Sequence, residues 1–136
     1  MSNILSTEAM RAMILKTVDE LGGHGATFVT LMRAIPEFSG GRLKMTHPKF
    51  SSWVLWEDLT QEAATALERL FGERTLVMLP TNAEAYVFDG GALNLPLVRA
   101  ARQYPQDHWQ PVVIGRPEVY ERLGMIKRKN QEKQLQ

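Results

Sequence analysis

The chain has 136 residues, 44% hydrophobic and 23% charged, a balance that supports one domain with a buried core and excludes wholesale disorder. It contains no cysteine, which excludes a disulfide framework, thiolate metal sites and a cysteine nucleophile, and fits a reducing, cytoplasmic compartment. The formal net charge is only +1, no apolar run approaches the roughly 20 residues of a membrane span, and residues 1–5 have no signal-peptide pattern.

The first helix is predicted over residues 7–21, where Met10, Met13, Ile14, Val18 and Leu21 recur at helical steps. Ser6 or Thr7 can cap it, and Gly22-Gly23 supplies a stop. A second, shorter helix follows an N-cap at Thr27, with Phe28, Leu31, Met32 and Ile35 on its apolar face and Pro36 as its end. Over residues 37–52 the periodicity dissolves. Gly40, Gly41 and Pro48 interrupt it while Arg42, Lys44, His47 and Lys49 make it basic, so a long loop is expected. Residues 52–56 read as a short buried strand, in which Trp53 and Trp56 point to opposite faces and one anchors the core.

A third helix is predicted over residues 59–71, capped by Asp58 or Thr60, with Leu59, Ala63, Ala66, Leu67, Leu70 and Phe71 inward and Gly72 as terminator. Residues 75–79 and 85–88 are β-rich runs separated by five residues, the pattern of a hairpin. Further on, residues 93–98 are apolar enough to pack back, residues 112–114 suit a strand, and Pro117 suits the first turn of a last helix over 117–123. The expected layout is one domain over 1–124, with a core at 7–89, an extension at 90–124 and a polar, basic tail at 125–136.

Three helices followed by a two-stranded hairpin resemble a winged helix-turn-helix. The resemblance is carried by residues 7–89, and most specifically by the run from Asp58 to Gly72 leading into the hairpin. It implies an α+β fold, a three-helix winged-helix-like domain with a β-hairpin wing and a C-terminal extension. It also implies DNA binding, with the third helix in the major groove and the wing on the backbone. Residues 36–58 intervene where a helix-turn-helix has a turn of about three or four residues.

Charge divides the functional reading in two. Residues 57–89 hold seven acidic and two basic side chains, whereas residues 37–56 carry a net +2 and residues 90–136 a net +4. Because phosphate neutralisation supplies much of DNA affinity, contact is expected from the loop and the tail rather than the third helix. The first expectation is a non-enzymatic DNA-associated accessory or regulatory protein of bacterial or phage type. It would use Arg42, Lys44 and Lys49 together with Lys127, Arg128 and Lys129. The alternative is a protein-interaction module, a homodimer or an adaptor, that uses Gln61, Glu62, Thr65, Glu68 and Arg69, with Trp109 as an exposed anchor. His24, His47 and His108 lack metal-ligand spacing, and neither Gly-rich stretch has the frame of a phosphate loop or a nucleophile elbow. No catalytic residue, metal or cofactor is expected.

Overall fold

The computed structural model describes residues 5–127. Ser6 opens α1 (Thr7–Glu20) by accepting the N–H of Ala9 at 3.1 Å, and Met10, Ile14 and Val18 are buried along its inner face. Gly22 and Gly23 end it at φ 93° and 84°, a conformation that side chains with a Cβ rarely adopt. In α2 (Phe28–Ala34) the hydroxyls of Thr27 and Thr30 cap each other's backbone N–H groups at 3.2 and 2.9 Å. Pro36 then stops the helix and begins a single 3₁₀ turn, Pro36–Phe38.

The expected loop at 37–52 is largely a strand. β1 (Ser39–Thr46) pairs antiparallel with β2 (Trp53–Leu59), and only residues 47–52 form the turn between them. The alternation is hidden because the register slips: both Ser39 and Leu43 lie opposite Leu59, so Gly40, Gly41 and Arg42 bulge out of the ladder. Gly41 is needed there, since a Cβ on it would overlap the Leu59 carbonyl.

The third helix forms as α3 (Gln61–Gly72), with Ala63, Ala66, Leu67 and Leu70 packed inward. Thr60 is its cap, accepting the Ala63 N–H at 3.3 Å and donating to the Glu37 carbonyl at 2.8 Å. Asp58 instead takes a left-handed φ of 59°.

The expected hairpin over 75–88 does not form. β3 (Val77–Pro80) is followed by a helix, α4 (Glu84–Asp89), and finds its antiparallel partner far along the chain in β5 (Val112–Gly115). A four-residue apolar run such as 85–88 fits a strand or a helical turn equally well. Tyr86 decides it. From α4 its ring is fully buried, and its hydroxyl donates to the Val112 carbonyl at 2.7 Å and accepts the Phe28 N–H at 3.3 Å.

β5 also bridges Ala26, which exchanges two backbone hydrogen bonds with Ile114 at 2.7 and 3.0 Å. The rows Ala26, β5 and β3 thus lie side by side. Between β3 and β5 the chain makes an excursion over residues 81–111. It runs through α4 and ends at β4 (His108–Trp109), which pairs parallel with β2. The last helix, α5 (Pro117–Arg122), is held to the end of α1 by Arg116, whose Nε and Nη2 meet Asp19 at 3.0 and 2.9 Å. The Tyr120 hydroxyl adds a bond from the Gly25 N–H at 3.1 Å.

The class is α+β, with one mixed three-stranded sheet in the order β1, β2, β4 and a two-stranded ladder of β3 and β5. Aromatic packing joins them: Trp56 stacks on Phe28 with ring centres 5.8 Å apart, and Tyr86 meets Trp109 edge to face at 5.1 Å. Among the described residues no helix is long and apolar enough to cross a membrane.

A candidate nucleic-acid interface on the hairpin

From Ser39 to Trp56 the hairpin holds Arg42, Lys44 and Lys49 and no acidic residue. All three cations are exposed. At the turn, His47 Nδ1 accepts the N–H groups of Lys49 at 3.0 Å and Phe50 at 3.4 Å. This holds the turn and places the proton of the neutral ring on Nε2. Phe50 stacks on Trp53 with centroids 4.5 Å apart, His47 lies 5.0 Å from Trp53, and the Lys49 ammonium sits 5.5 Å from the Phe50 centroid. The three rings form a half-buried aromatic cluster.

A second segment is tied against this tip. The Trp53 indole N–H donates to the Arg102 carbonyl at 2.7 Å, the Gln103 amide spans Ser51 and Ser52, and the Ser52 hydroxyl accepts the Tyr104 N–H at 2.9 Å. Tyr104 in turn organises its own loop, its oxygen accepting the N–H groups of Arg99 and Ala100 at 2.9 and 2.8 Å. The Arg99 N–H foremost, then that of Ala100 and the Arg102 charge, holds this hydroxyl below the usual tyrosine range despite its burial. Its ring stacks on His108 at 3.8 Å, with the Arg102 guanidinium 4.6 Å from its centroid. The loop therefore adds Arg99 and Arg102, both exposed, to the cations of the hairpin. Lys44 pairs with Asp107 at 2.9 Å, whereas Arg42, Lys49, Arg99 and Arg102 have no carboxylate partner among the described residues.

Behind the tip lies a groove of about 430 Å³, walled by Pro48, Trp53, Leu55, Met78, Pro80 and Val112, with His47 and Gln110 as its polar members. Gln110 gives its side-chain N–H to the Pro111 carbonyl at 2.8 Å, which orients the amide and leaves Oε1 without a partner among the described residues. A neighbouring hollow of about 340 Å³ shares Pro48 and Met78 with it and continues along Lys44, Met45, Glu68 and Phe71. A larger, open hollow of about 520 Å³ lies elsewhere, on α1 and α2, with charges of mixed sign from Lys16, Glu20 and Arg33.

The expected residues fall into separate groups. Arg42, Lys44 and Lys49 share the hairpin. Lys127 is exposed beyond α5 and does not line the groove; Arg128 and Lys129 lie outside the described residues. On α3, Gln61 is exposed and bonded to Thr65 at 2.9 Å, Glu62 and Thr65 are half-buried, and only Glu68 and Arg69 join Gln61 and Gly72 in standing clear. Of the ion pairs to α1, Arg11 with Glu73 at 2.7 Å neutralises one carboxylate just past α3, whereas Glu8 with Arg69 at 3.6 Å neutralises one of this segment's two cations, so the acidity expected there is not offset. Trp109 is not an exposed anchor. Pairing of β4 with β2 carries it into the core, 2% exposed, against Trp56 and Tyr86. Trp56 is the core tryptophan of β2 and Trp53 the half-exposed one.

Phe50, Arg99, Arg102 and Gln110 are not singled out by the sequence, and His47 enters there only as part of a basic loop and as a histidine without metal-ligand spacing. The legible part of that signal is His47-x-x-Phe50-x-x-Trp53 with Lys49 inside an acid-free run; the arginines come from a segment some 50 residues away. Among the described residues no three histidine, aspartate or glutamate side chains group as a metal ion would require. Comparison with protein-family models, curated proteins and solved structures finds no match to this chain.

Proposed function

We propose that the chain is a non-enzymatic, DNA-associated accessory or regulatory protein of winged-helix-like build, whose DNA contact lies on the β1–β2 hairpin. The observation that carries this reading is the hairpin tip itself. An acid-free basic segment displays half-buried His47, Phe50 and Trp53 and is braced by a loop bearing Arg99 and Arg102. Cations serve the phosphates, and aromatic faces serve bases.

The winged-helix likeness draws on the order of elements. A winged helix has a small strand between its first two helices, and here Ala26 holds that position and bridges β5, which pairs with β3 after α3. On this reading the β1–β2 hairpin is an insertion between the second and third helices, and residues 81–111 stand in place of the wing loop. The insertion packs against α3 around Lys44, Met45, Glu68 and Phe71, which takes α3 away from the groove-reading role its position would give it. The alternative, α3 as a protein-docking face, keeps Glu68 exposed and Glu62 half-buried, neither with an ion pair among the described residues, and only Arg69 of that set is tied to α1.

Anisotropy titration of labelled DNA across a salt series tests the proposal. Engagement of about four phosphates gives a slope of log affinity on log salt of about −3.6 for duplex or about −2.8 for a single strand. Lys49→Glu combined with Arg102→Glu is expected to cut affinity at least about tenfold with the fold retained. Binding that ignores both salt and this double reversal would remove the hairpin from consideration.

A further inference from the structure

We infer that the groove behind the hairpin tip receives an unpaired base, so that the preferred ligand is single-stranded DNA; this rests on the nucleic-acid reading above. The groove's polar members are already half committed. His47 Nδ1 accepts backbone N–H groups, leaving Nε2–H as a donor, and Gln110 Nε2 donates to Pro111, leaving Oε1 as an acceptor. One donor and one acceptor among Pro48, Trp53, Met78 and Pro80 match the mixed donor and acceptor edge of a base, with an indole alongside for stacking. The volume of about 430 Å³ falls in the range of small-ligand sites, about 300–1,000 Å³.

Charge complementarity selects the rest of the ligand. The Lys49 ammonium lies 5.5 Å from the Phe50 centroid, and Arg102, tied to Trp53 through its carbonyl, holds its guanidinium over Tyr104; neither has a carboxylate partner among the described residues, so both cations can meet the phosphates of a strand that crosses the tip. A paired base is ruled out as occupant because its edge is already used by its complement. Deoxyribose is favoured over ribose because the walls beside His47 and Gln110 are apolar, and a 2′-hydroxyl desolvated against them would lose its hydrogen bonds.

The test uses the full chain and four labelled 12-residue ligands at one salt concentration: a mixed-sequence DNA strand, its duplex, the RNA of the same sequence, and the DNA strand with its central bases removed. The intact DNA strand is expected to bind at least about tenfold more tightly than the duplex and than the abasic strand. It is also expected to quench tryptophan emission, and that quenching should vanish in Trp53→Phe, since Trp56 and Trp109 are buried. Gln110→Leu should lower affinity for the intact strand and leave the abasic strand unaffected, a difference that loss of folding would not produce. Equal binding of duplex, abasic and intact strands overturns the inference while leaving DNA association in place. RNA binding tighter than DNA overturns the choice of strand, and no binding of any ligand overturns the functional proposal itself.

Discussion

The indole N–H of Trp53 and the carbonyl of Arg102 stand 2.7 Å apart, joining the hairpin to a segment 49 residues further along the chain. Two basic segments that are separate in sequence are thereby held as one surface. Trp53→Phe keeps an aromatic ring and removes this bond. A stability loss of about 0.5–1.5 kcal/mol is expected in urea denaturation. Backbone amides of residues 99–104 should exchange with deuterium faster than in the parent, while those of α1 keep their protection. Unchanged exchange in the loop would show that the bond does not brace it.

Gly41 packs directly on the backbone of Leu59 and Thr60. Gly41→Ala should therefore cost on the order of 2–3 kcal/mol, because the obstacle is main chain and cannot rotate away. Gly72→Ala is the control: its Cβ meets nothing within 4 Å and the residue lies at the end of a helix, so stability should hold or rise slightly. Denaturation midpoints of the two variants would separate close packing from a general intolerance of alanine.

Tyr86→Phe strands a buried carbonyl at Val112 and a buried N–H at Phe28. A loss of about 1–3 kcal/mol is expected. Burial is the main cause that pushes the Tyr86 hydroxyl well above the ordinary tyrosine range. Above about pH 10 the unfolded chain releases this proton while the folded chain retains it, so stability falls as pH rises, by about 1.4 kcal/mol per pH unit from this group. The phenylalanine variant should show a shallower alkaline decline in urea denaturation between pH 9.5 and about 11.5. An equal decline would assign the effect to other groups.

At the acid end the pair to follow is Asp19 with Arg116. The hydrogen bonds from the guanidinium hold the Asp19 carboxyl below its usual value. Its contribution is present above the unfolded aspartate pKa of about 3.9 and disappears as pH falls through the lower folded value. Asp19 is half exposed, so Asp19→Asn should cost at most about 1 kcal/mol at neutral pH. The difference from the parent should close at pH 2, and a difference that persists there would point to packing instead of charge.

Local signals in this sequence read true where they are satisfied locally. Ser6, Thr27 and Pro36 mark helix ends because caps and proline act within one turn, and Pro117 starts α5 for the same reason. Residues 39–46 concealed a strand because its bulges break the two-residue alternation on which recognition depends. The run at 85–88 reads as a strand and folds as a helix because the decisive interaction, Tyr86 with Val112, spans 26 residues. The basic hairpin cations were legible from composition. Their assembly with Arg99 and Arg102, and the removal of Trp109 into the core, depend on β4 finding β2, which nothing near residue 109 announces.

The bridge between Ala26 and Ile114 has a consequence for biosynthesis. A ribosome that has released only the first hundred residues holds a polypeptide whose α2 has yet to meet Val112 through Tyr86 and whose β3 has no ladder partner. Such a chain lacks the Val112 acceptor of Tyr86 and the β3–β5 ladder until β5 emerges, although Phe28, Phe38, Trp56 and Tyr86 are all present to pack on one another. Closure of the β3–β5 ladder is then a late, long-range event, and shortening the chain before β5 leaves the edge of β3 open to self-association.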